Sequence, residues 1–277
     1  MAGEVKQPTT VLAPIGISLG ELVKLAGGET VKNAAYLVGG PMMGKICTSR
    51  DAVTKTTNAV IVLSKNHDAV MGRRLKTGIM LRRAMSACCQ CHSCTDLCAR
   101  HAAGYPIEPH MIMRILSNGG RGDMKAILGS FSCSGCGVCE VYACPQSLSP
   151  RTLIAELKEQ ARALGVKPPK DAKLNEPDKD EALRRLSSDR LCSRLGLKKY
   201  DVPAPFYEGD VACKKVRVPL DRYIGAPAKS VVKIGDTVSM GDAIGLAAEK
   251  ALSVNVHASV SGKVTAVTDK YIEITCK

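Results

Sequence analysis

The sequence predicts an α+β protein built from several small domains, and three observations lead there. Of its thirteen cysteines, nine crowd into two short segments, "CCQCHSCTDLC" and "CSGCGVCEVYAC". Residues ahead of them alternate strand-like and helix-like runs, whereas the last stretch, 214–277, is Val-rich and turn-punctuated throughout. A chain of 277 residues has room for one large domain or for two to four small ones.

Residues 1–79 read as a mixed α/β unit. "TTVLAPIGISLGELVKLAGG" gives a strand, a Pro-Gly turn and a helix that opens at Ser18, with Glu21 three residues on. That spacing is a capping box, in which each side chain satisfies the other residue's backbone N–H. Gly27 and Gly28 then close the helix. "AAYLVGG" and "NAVIVLSK" read as strands, the second rich in β-branched residues. The "GGPMMG" between them lacks GK[ST] and GxGxxG, so it reads as tight turns at a sheet edge, not a phosphate loop.

Residues 80–165 hold both cysteine segments, separated and followed by helices. "PIEPHMIMRILSNGG" has apolar residues at helical spacing and ends in glycines. "SPRTLIAELKEQARALG" predicts a helix with Ser149 as cap, Pro150 at the first helical position and a stop at Gly165. Residues 166–213 read as a connecting segment, polar and Pro-containing in "VKPPKDAKLNEPDKDEALRR", with a short helix in "LSSDRLCSRLGLKKY". In 214–277, short strands joined by Gly-Asp turns predict a small barrel or sandwich.

Composition narrows the function. No apolar run approaches the roughly 18–20 residues of a membrane helix, and "MAGEVKQPTT" has no apolar core of a secretory signal. The default compartment is then the reducing cytoplasm, where disulfides are rare. The formal charge of +13, from 39 basic and 26 acidic residues, allows a solvated basic surface, an acidic protein partner or nucleic acid. With two Phe, seven Tyr and no Trp, there is little on which bases could stack, and nucleic acid is not expected as a partner. No GxSxG, HExxH or dinucleotide fingerprint appears, and no catalytic residue is assigned.

The cysteine spacings carry the chemistry. Cys88, Cys91, Cys94 and Cys98 give CxxCxxCxxxC, and Cys133, Cys136, Cys139 and Cys144 give CxxCxxCxxxxCP. Three cysteines at two-residue intervals wrap the backbone around one corner of an iron–sulfur cube. In the bacterial two-cluster pattern the fourth cysteine ligates the other cluster. On that pattern Cys88, Cys91, Cys94 and Cys144 hold one [4Fe–4S] cluster, and Cys133, Cys136, Cys139 and Cys98 hold the second. Zinc sites pair two CxxC halves across a longer spacer and use four ligands per metal, which two successive triplets do not match. Cys89 is expected to point away from the cube. Cys47, Cys192, Cys213 and Cys276 are isolated in sequence and read as packing residues. His92 reads as a solvent-facing loop residue, and His67, His101, His110 and His257 form no ligand spacing.

"LVGGPMMG", "VTKTTNAVIVL", the two cysteine segments, "LCSRLGLKKY" and "IGAPAKSVVKIGDTVSMGD…VHASVSGKV" together resemble the C-subunit family of the Rnf electron-transport complex. Within it, the four-residue gap before Cys144 is most similar to the branch of corrin (cobalamin) reductases of propanediol-utilisation microcompartments. Ala99 departs from the proline commonly found in the first motif. The resemblance implies an SLBB-type β-grasp domain at 1–79, a helical dicluster [4Fe–4S] ferredoxin domain at 80–165, and a lipoyl-like barrel-sandwich hybrid at 214–277.

It further implies electron transfer within an NADH- and FMN-dependent cobalamin reductase serving diol dehydratase, with cobalamin as substrate. The alternative it leaves is a relay subunit of an Rnf-like complex that passes electrons to a protein and binds no corrin. The family's domain for NADH and FMN is missing and "MAGEVKQP" opens inside the first β-grasp strand, so the chain reads as a piece of a longer reductase. FMN is accordingly expected only on that missing domain. Expected partners are that flavin domain and the microcompartment shell or cobalamin-handling proteins, in the cytoplasm and its microcompartments. Lipoyl carriers modify a hairpin lysine about seven residues before an Ala-initiated strand. Counting back from Ala258 lands on Ala251, one residue past Lys250, so an unmodified carrier-like fold is expected.

Overall fold

The computed structural model describes residues 1–169 and 173–276. It divides into two compact units: residues 1–40, 44–70 and 202–276 in one, and 41–43 with 71–201 in the other. Positions 170–172 of the expected surface connection lie outside the described residues. No described helix is long and apolar enough to cross a membrane.

The first unit opens with β1 (Ala2–Gly3), α1 (Leu19–Leu25), β2 (Ala34–Val38), β3 (Lys45–Cys47) and β4 (Val60–Ser64), followed by α2 (Asp68–Arg74), which leads out of it. The sheet order is β1-β4-β2-β3, with β1 parallel to β4 and the other pairs antiparallel. The capping box is formed: Ser18 Oγ accepts the Glu21 N–H at 3.2 Å, and Glu21 Oε2 accepts the Ser18 N–H at 3.4 Å. Gly27 and Gly28 follow the helix at positive φ, 77° and 87°, a conformation that costs glycine little. The strand expected in "TTVLAP" does not form. Thr10 makes only an isolated parallel bridge to Phe206, and Leu12 is exposed. Pro8 and Pro14 bracket the stretch and offer no N–H to a ladder.

The same unit contains β5 (Lys215–Pro219), β6 (Lys229–Ser230), β7 (Thr237–Val238), β8 (Ala243–Leu246), β9 (Val256–His257), β10 (Gly262–Val267) and β11 (Tyr271–Cys276). They form two sheets, β5-β11-β10-β7 and β6-β8-β9. Alternation is clean where it counts: Val216, Val218, Ile272 and Ile274 point inward and are buried. The β-grasp and barrel elements share one apolar core, in which Ile17, Leu19 and Val23 cluster with Val216, Ile244 and Ile274. Each such side chain contributes about 1.5–3 kcal/mol on burial, so the two sequence segments fold as one body.

Lys250 lies exposed between β8 and β9 at a left-handed φ of 60°. Intact mass of protein from its native host is expected to lack a lipoyl or biotinyl adduct there. An adduct on Lys250 would make the barrel a swinging-arm carrier.

The second unit is helical: α3 (Thr77–Ala87), α4 (Ser93–Asp96), α5 (Ala99–Ala102), α6 (Pro109–Ser117), α7 (Met124–Gly129), α8 (Pro150–Ala163) and α9 (Ser188–Arg194). Met80 and Ala84 of α3 pack with Met113 of α6, Leu153 of α8, Leu148 and Cys144. α8 begins at Pro150 as expected, and Gly165 follows its end at a φ of 77°. Its cap differs from expectation. Ser149 is buried and makes no side-chain capping bond; the Glu140 carboxylate instead accepts the Thr152 N–H at 2.9 Å. A carboxylate at that end also complements the helix dipole.

Candidate metal centres

Six of the eight cysteines lie in or at the end of a short element, while Cys91 and Cys136 sit in the loops between. Cys88 ends α3, Cys94 lies in α4, and Cys98 precedes α5. Cys133 ends a 3-10 turn (Ser130–Ser132), while Cys139 opens a π-turn (Cys139–Ala143) that Cys144 closes. The two triplet loops share one backbone design. In the second, Gly135 and Gly137 take φ of 72° and 89°; in the first, Gln90 and His92 take 52° and 69° at the matching positions. Left-handed backbone is what turns the chain between successive thiols. It costs roughly 1–2 kcal/mol for a residue with a Cβ.

These loops frame two cavities. Cys88, Cys91 and Cys94 line the first together with Cys144 from the other segment. Cys133, Cys136 and Cys139 line the second together with Cys98. Each cavity thus collects the three thiols of one triplet and one thiol from the other segment, and the first is lined by Cys89 as well. Among the described residues, no group of three or more His, Cys, Asp or Glu donors converges tightly enough for a single metal ion. Four thiols around one cavity are the donor set that a four-iron cluster would take.

Burial first, then the Cys91, Cys144 and Cys88 thiols, push Cys94 up to about 12. Burial raises Cys98, which also senses Cys136 and Cys133. Burial raises Cys139 strongly, with the Cys133 thiol next among the causes. The Cys91 thiol is lowered, chiefly by its hydrogen bond with the Ser93 hydroxyl. Buried thiolates crowded together need cationic charge among them, so metal uptake and thiol deprotonation are coupled here.

Donors to sulfur are already in place. Gln90 Nε2 reaches Cys88 Sγ at 3.2 Å, the Gly135 N–H reaches Cys133 Sγ at 3.4 Å, and the Leu148 N–H reaches Cys144 Sγ at 3.4 Å. Such bonds raise the potential of a cluster by stabilising its more negative form. Arg100 and Arg151 line the second cavity, and Lys158 Nζ donates to the Cys133 carbonyl at 3.3 Å. Pro41–Met43, from the Gly-rich turn, belongs to this unit, where Arg151 Nη1 donates to the Met42 carbonyl at 3.1 Å.

Two residues that spacing did not connect meet at the first cavity. The rings of His92 and His110 lie 3.7 Å apart, and both line it. Buried Thr95 holds His110, its Oγ1 lying 2.9 Å from Nδ1 and accepting the His110 backbone N–H at 3.0 Å. Asp96 pairs with the other face of the couple, its Oδ1 2.9 Å from His92 Nδ1. His92 is therefore part of a cavity wall as well as partly solvent-facing. Cys89 is exposed and lies on the same wall. Elsewhere, Cys213 and Cys276 are not isolated: their sulfurs lie 2.9 Å apart.

Three family models match in chain order: the SLBB domain over 1–45, the 4Fe-4S dicluster domain over 87–149, and the RnfC barrel sandwich hybrid domain over 209–276. The chain is 37% identical over 273 residues to the cobalamin reductase PduS of Salmonella typhimurium, covering 98% of this chain and 60% of that protein. The PduS of Citrobacter freundii gives the same identity and coverage. The C-subunit of the Na(+)-translocating ferredoxin:NAD(+) oxidoreductase complex of Acetobacterium woodii is 49% identical over 55 residues, 20% of this chain and 12% of that protein. The chain thus spans 60% of the length of the two PduS relatives. The chain thus carries an iron–sulfur electron-transfer domain between an SLBB domain and an RnfC-type barrel, and over nearly its whole length it is similar to the PduS cobalamin reductases.

Proposed function

We propose that the chain is the electron-relay portion of a cobalamin reductase, holding two [4Fe–4S] clusters in the two cysteine-lined cavities. The ligand sets are Cys88, Cys91, Cys94 and Cys144 for one, and Cys133, Cys136, Cys139 and Cys98 for the other. The observation that carries this reading is the sharing of thiols between segments, which joins the two cavities through the chain itself. When bound, each cluster supplies a one-electron carrier.

The chain's own residues do the rest. Arg100 and Arg151 bring positive charge to the second cavity, where four thiolates gather. Gln90, Gly135 and Leu148 donate to sulfur. Met113 and Leu148 keep an apolar side on the first cavity, limiting water and lowering the local dielectric. Electrons enter from an NADH- and FMN-bearing domain or partner and leave to the corrin cobalt, in a microcompartment setting. The corrin acceptor follows the PduS relatives, described as cobalamin reductases, whereas NADH, FMN and the microcompartment follow from the family resemblance. The domain boundaries assigned with it are 1–79, 80–165 and 214–277.

Anaerobically purified protein tests this. About eight irons and eight sulfides per chain are expected, with paramagnetic signals from both clusters after dithionite reduction. Adding cobalamin to the reduced protein should reoxidise the clusters and generate reduced-corrin absorption. About four irons, or stoichiometric zinc, would sink the two-cluster reading. Eight irons without any response to cobalamin would favour a protein acceptor, as in an Rnf-like complex.

A further inference from the structure

Cys213 and Cys276 stand 63 residues apart in sequence, yet the fold brings their Sγ atoms to 2.9 Å. Strand pairing does this. β11 runs antiparallel to β5 with Thr275 opposite Lys215, and the Cys276 N–H donates to the Lys214 carbonyl at 3.0 Å. Both thiols are half-buried and neither lines a cluster cavity.

Their chain neighbours, Lys214 and Thr275, line a cleft of about 560 Å³ together with Arg50, Lys215 and Arg217. Glu21 also lines it, and Glu273 pairs with Lys215 at 3.3 Å and with Arg217 at 2.8 Å. Four cations against these two carboxylates leave an excess of two positive charges at the cleft, whose wall comes within one residue of each thiol along the chain.

We propose that Cys213 and Cys276 are an oxidisable dithiol, closed to a disulfide by exchange with an anionic low-molecular-mass disulfide of the glutathione type that the basic cleft recruits. The exchange balances in two steps. The Cys276 thiolate attacks one sulfur of the small disulfide, forming a mixed disulfide and releasing one thiolate. That thiolate takes the Cys213 proton, and Cys213 sulfur attacks Cys276 sulfur, expelling the second small thiolate. Two electrons pass from the protein dithiol to the small disulfide, which leaves as one thiol and one thiolate; the latter takes up the proton that Cys276 had given to solvent.

Burial first, then the contact with Cys276 and the nearby Glu21 carboxylate, push Cys213 up to about 12. The new bond ties the residues ahead of β5 to the end of β11 and encloses the barrel in a covalent loop. Fraying at its last strand is then restricted.

The test uses iron-loaded full chain under argon, treated with oxidised glutathione, quenched with N-ethylmaleimide and mapped by mass spectrometry. A peptide pair joined at Cys213 and Cys276 is expected, with iron content and visible absorption unchanged. Backbone hydrogen exchange in β11 should slow at least tenfold on oxidation, and Cys213→Ala should abolish both effects while keeping its iron. Oxidised glutathione should react at least tenfold faster than the cationic disulfide cystamine at low salt, a margin that 0.5 M salt or Lys214→Ala erases. Separate glutathione adducts on the two cysteines, or no modification under conditions that oxidise a small dithiol, would overturn the proposal. Equal rates for the two disulfides would overturn recruitment by the cleft.

Discussion

Replacing Cys144 with alanine is expected to halve the iron, from about eight to about four per chain, and to expose Cys88, Cys91 and Cys94 rather than its own segment. Anaerobic alkylation followed by peptide mapping reads this directly. In Cys144→Ala the first triplet should become reactive while Cys98, Cys133, Cys136 and Cys139 stay protected. Cys98→Ala should give the reciprocal map. The expectation rests on where the thiols lie: Cys144 shares a cavity with the first triplet, and Cys98 shares one with the second. Cys144 also packs against Met80, Met113 and Leu153, so Cys144→Ala leaves a small void. Cys98→Ala, made at a less buried site, separates ligand loss from that packing defect. Reactive Cys133, Cys136 and Cys139 in the Cys144 variant would return Cys144 to its own segment's cluster.

The second large effect is expected at Gly137. Its φ is 89°, and a Cβ there would stand 3.1 Å from the Met42 carbonyl oxygen. Gly137→Val puts a β-branched side chain into left-handed backbone and presses it on that carbonyl. A cost of about 3 kcal/mol is expected, enough to lower the melting temperature by roughly 10 °C. Iron should be lost from the second cavity first, because Gly137 lies between Cys136 and Cys139. His92, its counterpart in the first loop, already carries a side chain at a φ of 69°. His92→Gly should therefore fold and load iron. A Gly137→Val protein that melts within a degree or two of the parent would show that the loop has another way to turn.

What could be read in the sequence was mostly local. Ser18 and Glu21 announce their capping box because both partners lie within one helical turn. The cysteine triplets announce their chemistry for the same reason. Where an element needs a distant partner, the sequence reading stops. "TTVLAP" has strand-like residues, yet a strand requires a neighbour to share hydrogen bonds, and the one bridge formed is at Thr10, which bonds to Pro205 and Tyr207 on either side of Phe206. The shared core of β-grasp and barrel joins Ile17 to Ile274 across most of the chain, and no window of sequence contains both. The helix that delivers Cys88 has no place in the sequence reading, although Met80 and Ala84 stand one turn apart on its buried face. At the candidate site, the meeting of His92 with His110 depends on Thr95, whose hydroxyl bonds give no sequence pattern. The capping of α8 by Glu140 is hidden likewise, since Ser149 occupies the expected position and does not do the task.

The exchange of single thiols between the two cavities also sets a timetable for biosynthesis. On the proposed ligand sets, a nascent chain that has emerged only through Cys98 offers no complete set for either cluster. The second set is complete once Cys139 is out, and the first waits for Cys144, fifty residues beyond Cys94. The cluster whose motif is made first is thus the last that can close. Until then its three thiols remain open to oxidation or to the wrong metal. A delivery protein that waits for the whole segment would avoid that hazard, whereas one that loads each motif as it appears would strand the first triplet with an incomplete cube.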